Sequence, residues 1–246
     1  MRALLVLPTY NEVGTIAEVV GRSLASTPDV DILVVDDNSP DGTGEAADRI
    51  AEGESRVRVL HRPAKGGLGP AYLAGFRDGL DRGYDALIEM DSDLSHDPAE
   101  VARLLEVAGR ADLVIGSRYV PGGATKNWSP ARRTLSRAGT AYAKLLLGLP
   151  LTDATSGYRC YRRALLEEIP LDEIHSEGYA FQIEMAWRAW LLGFVIAEIP
   201  IVFTERREGS SKMSRTIVAE ALAKVFRWGL QRRRPSGRPH ARSVGP

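Results

Sequence analysis

The residues best suited to chemistry are Asp91-Ser92-Asp93, which follow directly on the apolar run Ala86 to Met90. Two carboxylates two positions apart fall on the same side of an extended chain. Paired carboxylate oxygens are hard donors suited to Mg²⁺ or Mn²⁺, and a nucleoside diphosphate can complete the shell. The bare triplet also suits a solvated turn; its place at the end of an apolar strand favours the cation. A second acidic cluster, Asp36-Asp37-Asn38-Ser39-Pro40-Asp41-Gly42, follows the apolar run Asp31 to Val35. Its spacing from Asp37 to Asp48 partly mimics a calcium loop, but it follows a strand, and Asp48 replaces the usual bidentate Glu. A carboxylate there can instead accept hydrogen bonds from a nucleotide base or ribose, while Asn38, Pro40 and Gly42 shape the turn. Pro8-Thr9-Tyr10-Asn11-Glu12 forms a third polar cluster after the first apolar run.

Basic residues supply the complementary charge. Arg118, Arg132, Arg133, Arg206 and Lys212 lie in segments poor in apolar residues. Arginine forks match phosphate geometry, so a pyrophosphate donor and a phosphate acceptor would both use such groups; ordinary surface solvation is the alternative for each. The segment Thr204 to Lys212 reads as a loop able to close over a donor. Lys65-Gly66-Gly67-Leu68-Gly69-Pro70 resembles a phosphate cradle but lacks the spacing of either the P-loop or the dinucleotide fingerprint, so a tight turn on the nucleotide side is the better reading.

The elements that must position these groups are legible from periodicity. Ala3 to Leu7, Asp31 to Val35, Val57 to Leu60, Ala86 to Met90 and Leu113 to Ile115 are short runs rich in Val, Ile and Leu, as strands buried on both faces should be. Ile16, Val19, Val20 and Leu24, then Leu73, Phe76 and Leu80, then Val101, Leu104 and Leu105 recur at helical spacing. The alternation predicts an α/β fold with a mostly parallel sheet flanked by helices. Such sheets bind ligands beyond the carboxyl ends of their strands, where all three acidic clusters and Arg118 fall. Past Pro121-Gly122-Gly123 the alternation stops; a helical, basic second half with one strand at Ile196 to Phe203 is expected as an elaboration of the same domain.

The 246 residues suffice for one large core, and 44% hydrophobic with 26% charged residues excludes a disordered or fibrous chain. The single cysteine, Cys160, permits neither an internal disulfide nor a cysteine zinc cluster, which fits a reducing compartment. No apolar run approaches the length of a membrane span. The 32 basic and 32 acidic residues cancel, yet no acidic residue follows Glu220. That asymmetry suits an anionic lipid surface; the tail is nearly free of aromatics for base stacking, which argues against nucleic acid. Leu135, Ala138, Tyr142, Leu145, Leu146 and Leu149 form one apolar stripe beside Arg133, Arg137 and Lys144. Ile217, Ala221, Val225 and Trp228 form another beside Arg215, Lys224 and Arg227. Both fit interfacial helices, and both also fit helices facing a core.

Taken in order, Pro8-Thr9-Tyr10-Asn11-Glu12, Val34 to Thr43, Met90 to His96, Gly116 to Gly123, Ser156-Gly157-Tyr158-Arg159 and Ser210-Ser211-Lys212-Met213 resemble the nucleotide-sugar glycosyltransferases of family 2 with the GT-A fold. The closest likeness is to the polyprenol-phosphate (dolichyl-phosphate) mannosyltransferases, over about residues 3 to 230. The resemblance implies one domain over 1–230, with interfacial helices near 133–149 and 214–231 and a basic tail at 232–246. It implies inverting transfer of mannose from GDP-mannose to a polyprenyl phosphate; the alternatives are the same machinery using another nucleotide sugar, such as UDP-glucose, and a non-catalytic nucleotide-binding adapter docked on a membrane. Pro8, Tyr10, Glu12, Val35 and Asp37 would hold the nucleoside, and Asp91, Ser92 and Asp93 would line the metal and diphosphate. Ser95 would be a further ligand to Mg²⁺ or Mn²⁺. Arg206 and Lys212 would hold the donor, and Arg118, Arg132 and Ser136 the acceptor phosphate, with Asp91, Asp93 and Arg118 as the catalytic set. Ser92 departs from the family's usual Ala. Some relatives carry C-terminal membrane spans; here a cytoplasmic protein is expected, peripheral on the inner face of the membrane and anchored by these helices, the tail or an integral-membrane partner.

Overall fold

A computed structural model describes residues 1–205 and 215–231. Arg206, Lys212 and the 232–246 tail lie outside the described residues, as does most of the segment expected to close over the donor.

The apolar runs become β1 (Ala3–Thr9), β2 (Val30–Asp36), β3 (Val57–His61), β4 (Ala86–Glu89) and β5 (Leu113–Ser117), followed by β6 (Ala124–Lys126), β7 (Arg159–Arg162), β8 (Ile196–Pro200) and β9 (Val202–Thr204). The helices are α1 (Ile16–Ser26), α2 (Thr43–Gly53), α3 (Leu68–Asp81), α4 (Val101–Ala108), α5 (Pro130–Leu147), α6 (Arg163–Glu168), α7 (Gly178–Leu191) and α8 (Arg215–Leu230). Seven strands form one sheet in the order β3-β2-β1-β4-β7-β5-β8. All pair in parallel except β7, which runs antiparallel between β4 and β5.

Alternate residues of each strand supply two core layers, as the pleat requires. Leu4, Val6, Leu87 and Tyr161 pack with α3, α5, α6 and α7 on one face. Leu5, Leu7, Ile88 and Cys160 pack with α1, α2 and α4 on the other. A side chain at Gly75 or Gly79 of α3 would collide with Val6 or Leu87, so these two glycines let the helix lie close against β1 and β4.

Three expectations are corrected. The strand expected over Ile196 to Phe203 breaks at Ile201: β8 joins the main sheet, while β9 pairs with β6 in a separate two-stranded ribbon. The second half also contributes β7 to the middle of the sheet. The apolar stripe expected to make α8 interfacial faces inward over its described part: Ala221 and Val225 are buried and Trp228 stacks on Trp187 at 5.6 Å between ring centroids, while the Ile217 side chain lies outside the described residues. Among the described residues of α8 the exposed apolar ones are instead Leu222, Phe226 and Leu230.

α5 has clear local reasons for its limits. Ser129 Oγ accepts from Arg132 N at 3.2 Å, Pro130 starts the helix, and Gly148 in the left-handed region (φ 72°) ends it.

Candidate active site

A cavity of about 400 Å³ is lined by the segments that follow β1, β2 and β4, the end of β5, the turn before α3 and the first turns of α7. The loops after β1, β2 and β4 each carry a non-glycine residue in the left-handed region: Asn11 (φ 59°), Asn38 (59°) and Leu94 (61°). Such residues are uncommon, and their strain is held only where the surroundings fix the backbone. Ser92 Oγ donates to Pro8 O at 2.8 Å, and Thr9 Oγ1 donates to Asp36 Oδ1 at 3.1 Å, tying the three loops together.

Asp91 and Asp93 both line the cavity. The strand that was to align them stops at Glu89, so the loop rather than strand alternation sets their directions. Tyr72 OH donates to Asp91 Oδ1 at 3.4 Å, and Ser95 N donates to Asp93 Oδ1 at 3.0 Å. Behind them, burial pushes the Glu89 carboxyl up to about 8 against the opposing pull of Arg159, so near neutral pH Glu89 adds little negative charge to the pair. Burial also pushes His96 down to about 4; its neutral ring accepts from Asp91 N through Nδ1 at 3.3 Å.

A divalent cation fits this set when substrate phosphates share its shell. No group of three or more His, Cys, Asp or Glu residues is arranged to hold a metal among the described residues. Two carboxylates alone match the way Mg²⁺ and Mn²⁺ are commonly held, by one or two carboxylates with substrate phosphates and water completing the shell. Ser95, expected as a third ligand, is buried and does not form part of the cavity wall; its backbone N–H supports Asp93 instead.

Pro8, Tyr10, Glu12, Asp37 and Ser92 line the cavity, whereas Val35 is buried in the core of β2. Asp37 is already engaged: Arg62 Nη1 donates to Oδ1, and Gly66 N and Gly67 N each donate to Oδ2 at 2.8 Å. The glycine-rich segment is therefore a packed turn clamped onto Asp37. Lys65 lies 3.8 Å above the ring of Tyr10 at the same end.

Arg118 reaches the cavity but is nearly buried, and its fork grips Asp153, with Nε to Oδ2 at 2.7 Å and Nη2 to Oδ1 at 2.6 Å. Nη2 also donates to Thr155 Oγ1 at 2.8 Å and lies 3.4 Å from Ser136 Oγ. Burial alone would lower the Arg118 pKa; the Asp153 carboxylate more than offsets it. Ser136 thus stands behind the wall as a partner of Arg118 and Thr155. Asp153 is held in turn by Glu198 of β8, which accepts from Thr152 N at 2.8 Å and Asp153 N at 2.9 Å. Arg132 lines the cavity, pairs with Glu205 at 2.7 Å and covers the Trp128 ring at 4.3 Å.

Sequence reasoning missed Asp153, Glu198, Trp128, Tyr179 and Gln182. For Gln182 the signal was present, since it is a lone amide amid the apolar residues of Ala180 to Ile183. Asp153 and Glu198 act on residues tens of positions away and leave no local pattern.

The chain is 54% identical over 233 residues to the undecaprenyl-phosphate mannosyltransferase of Micrococcus luteus, covering 95% of this chain and 96% of that one. It is 53% identical over 234 residues to the polyprenol monophosphomannose synthase of Mycolicibacterium smegmatis, covering 94% and 88%. Among solved structures, glucosyl-3-phosphoglycerate synthase of Mycobacterium tuberculosis, in complex with Mn²⁺, UDP and phosphoglyceric acid, superposes with a TM-score of 0.68 at 24% identity, covering 91% of this chain and 78% of that one. The mannosyltransferase PcManGT of Pyrobaculum calidifontis, in complex with GDP-Man and Mn²⁺, gives 0.63 at 17%, covering 96% and 66%. These two likenesses bear on the fold, which is of the GT-A type. The model of the family "Glycosyl transferase family 2" matches residues 4–170, and with relatives this similar along nearly its whole length the chain belongs to that family of glycosyltransferases.

Proposed function

We propose that the enzyme transfers mannose from GDP-mannose to the phosphate of a polyprenyl lipid with inversion, giving a polyprenyl β-mannosyl phosphate. The observation that carries this reading is the convergence in one cavity of the Asp91 and Asp93 carboxylates, the Pro8, Tyr10, Glu12 and Asp37 end, and the Arg118 and Arg132 guanidinium groups. The names of the two relatives above half identity support the mannosyl group and the lipid phosphate.

In this reading Asp91 and Asp93 hold Mg²⁺ or Mn²⁺, which when bound supplies positive charge against the diphosphate. Pro8, Tyr10 and Glu12 orient the nucleoside, and Asp37 fixes the turn that closes its pocket. A lipid monophosphate has a second pKa of about 6, so it is largely dianionic near neutral pH and needs positioning more than deprotonation. Arg118, held by Asp153, and Arg132 orient that phosphate. Arg206 and Lys212, outside the described residues, are proposed to add charge around the donor.

The protein is proposed to work on the cytoplasmic face of a membrane. No helix among the described residues is long and apolar enough to cross one. Leu145 and Leu230 are 77% and 76% exposed, with Leu135, Leu222 and Phe226 also exposed on α5 and α8. Arg133, Arg137, Lys144 and Arg227 are exposed on the same helices, a combination suited to an anionic lipid interface.

A donor panel of GDP-mannose, UDP-glucose and UDP-N-acetylglucosamine with polyprenyl phosphates tests the reading. It predicts turnover with GDP-mannose and a β-configured product. Preference for another donor, retained configuration or a trapped glycosyl-enzyme adduct would contradict it.

A further inference from the structure

We infer that Gln182 hydrogen-bonds the hexose being transferred, and that Gly157 is bare because the sugar ring occupies the space beside it. This rests on the nucleotide-sugar reading above and assigns the sugar end of the same site.

Gln182 lies in the first turns of α7, lines the cavity and is only 3% exposed. Neither its Oε1 nor its Nε2 has a hydrogen-bond partner among the described residues. The amide N–H lies beside the buried Glu89 carboxyl and favours its ionised form, a contact too loose to be a hydrogen bond of normal geometry, and the amide oxygen has no donor. A buried amide this poorly matched is costly, and in a cavity wall a ligand that completes its hydrogen bonds is the natural explanation.

Gly157 locates that ligand. A Cβ placed on it would lie 3.4 Å from Gln182 Nε2 and 4.0 Å from Asp91 Oδ1, so the amide and the carboxylate flank one point in space. Gly157 is not among the glycines with positive φ, so its backbone does not require glycine. The contacts an added methyl group would make are ordinary ones, so packing in the empty cavity does not require it either. With the donor diphosphate proposed to sit on the Asp91 side, the sugar joined to it falls beside this point. Hexose hydroxyls both donate and accept, as does the glutamine amide.

The test uses the full chain with Mn²⁺ and compares calorimetric binding of GDP and GDP-mannose in wild type, Gln182→Met and Gly157→Ala, with thermal melts to check folding. Gln182→Met is expected to weaken GDP-mannose by about 3- to 10-fold, the worth of one or two hydrogen bonds, while GDP affinity holds within about twofold. Gly157→Ala is expected to weaken GDP-mannose by about tenfold, again sparing GDP, because its methyl group enters the ring's space. Equal weakening of both ligands, or unchanged GDP-mannose affinity in the variants, would overturn the inference. If Gln182→Met does not fold, Gly157→Ala decides alone. If wild type binds UDP-glucose rather than GDP-mannose, the donor reading fails, and the same comparison made with UDP and UDP-glucose still decides the role of Gln182.

Discussion

Arg118 shows how a residue chosen for its charge can be occupied by the fold. Its fork is closed on Asp153, which is fully buried, so removing the arginine strands a buried carboxylate. Arg118→Ala should destabilise the protein by about 3–5 kcal/mol in urea unfolding, and Arg118→Leu combined with Asp153→Leu should recover most of that loss. A double variant as unstable as the single would contradict the pairing. Cys160 gives a second prediction at this scale. Burial raises its thiol from the ordinary 9.0 to about 12. Between those values the unfolded chain has released the proton and the folded chain keeps it, so this group's contribution to stability falls as pH rises from about 9 to about 12. The thiol should therefore resist iodoacetamide at pH 8 until denaturant is added; rapid labelling of the folded protein would contradict the burial. Asp91, Asp93, Tyr10 and Glu12 were legible because each follows a strand within a compact polar run. Asp153 was not, since its meaning lies in a partner 35 positions away.

At the scale of elements, the parallel strands declared themselves by continuous apolar runs and the helices around them by period. β7 did not, because Arg159-Cys160-Tyr161-Arg162 carries charge at both ends; Arg159 is nonetheless fully buried, its guanidinium donating to Ser156 O, Gln182 O and Ala154 O. The stripe on α8 was read from period alone, which cannot tell a core from a lipid surface; stacking of Trp228 on Trp187 assigns it to the core. The exposed faces of α5 and α8 give the prediction at this scale. Leu145→Asp with Phe226→Asp should lower binding to phosphatidylglycerol vesicles by about tenfold or more, since each apolar group withheld from lipid removes roughly 1.5–3 kcal/mol. Melting temperature should be unchanged. Undiminished vesicle binding would remove these helices from the membrane account.

In the whole molecule, the sheet order brings the loops after β1, β2 and β4 together at one edge, and the antiparallel β7 joins β4 to β5 so that Arg118, backed by the buried Asp153, reaches the same cavity. The parallel half of this plan follows from sequence pattern; the insertion of β7 and the split at Ile201 depend on pairings across the chain that periodicity does not encode. Asp91 and Asp93 are proposed to seat a cation serving the donor diphosphate, and the rest of the mechanism depends on that role. It is tested most directly by transfer of radiolabelled mannose from GDP-mannose to polyprenyl phosphate, read as label extracted into organic solvent. Wild type with Mn²⁺ or Mg²⁺ should move label into the lipid phase, and EDTA or Asp93→Asn should cut that rate by roughly a hundredfold or more. Transfer at the wild-type rate by the EDTA-treated enzyme, or by the Asp93→Asn variant, would contradict it.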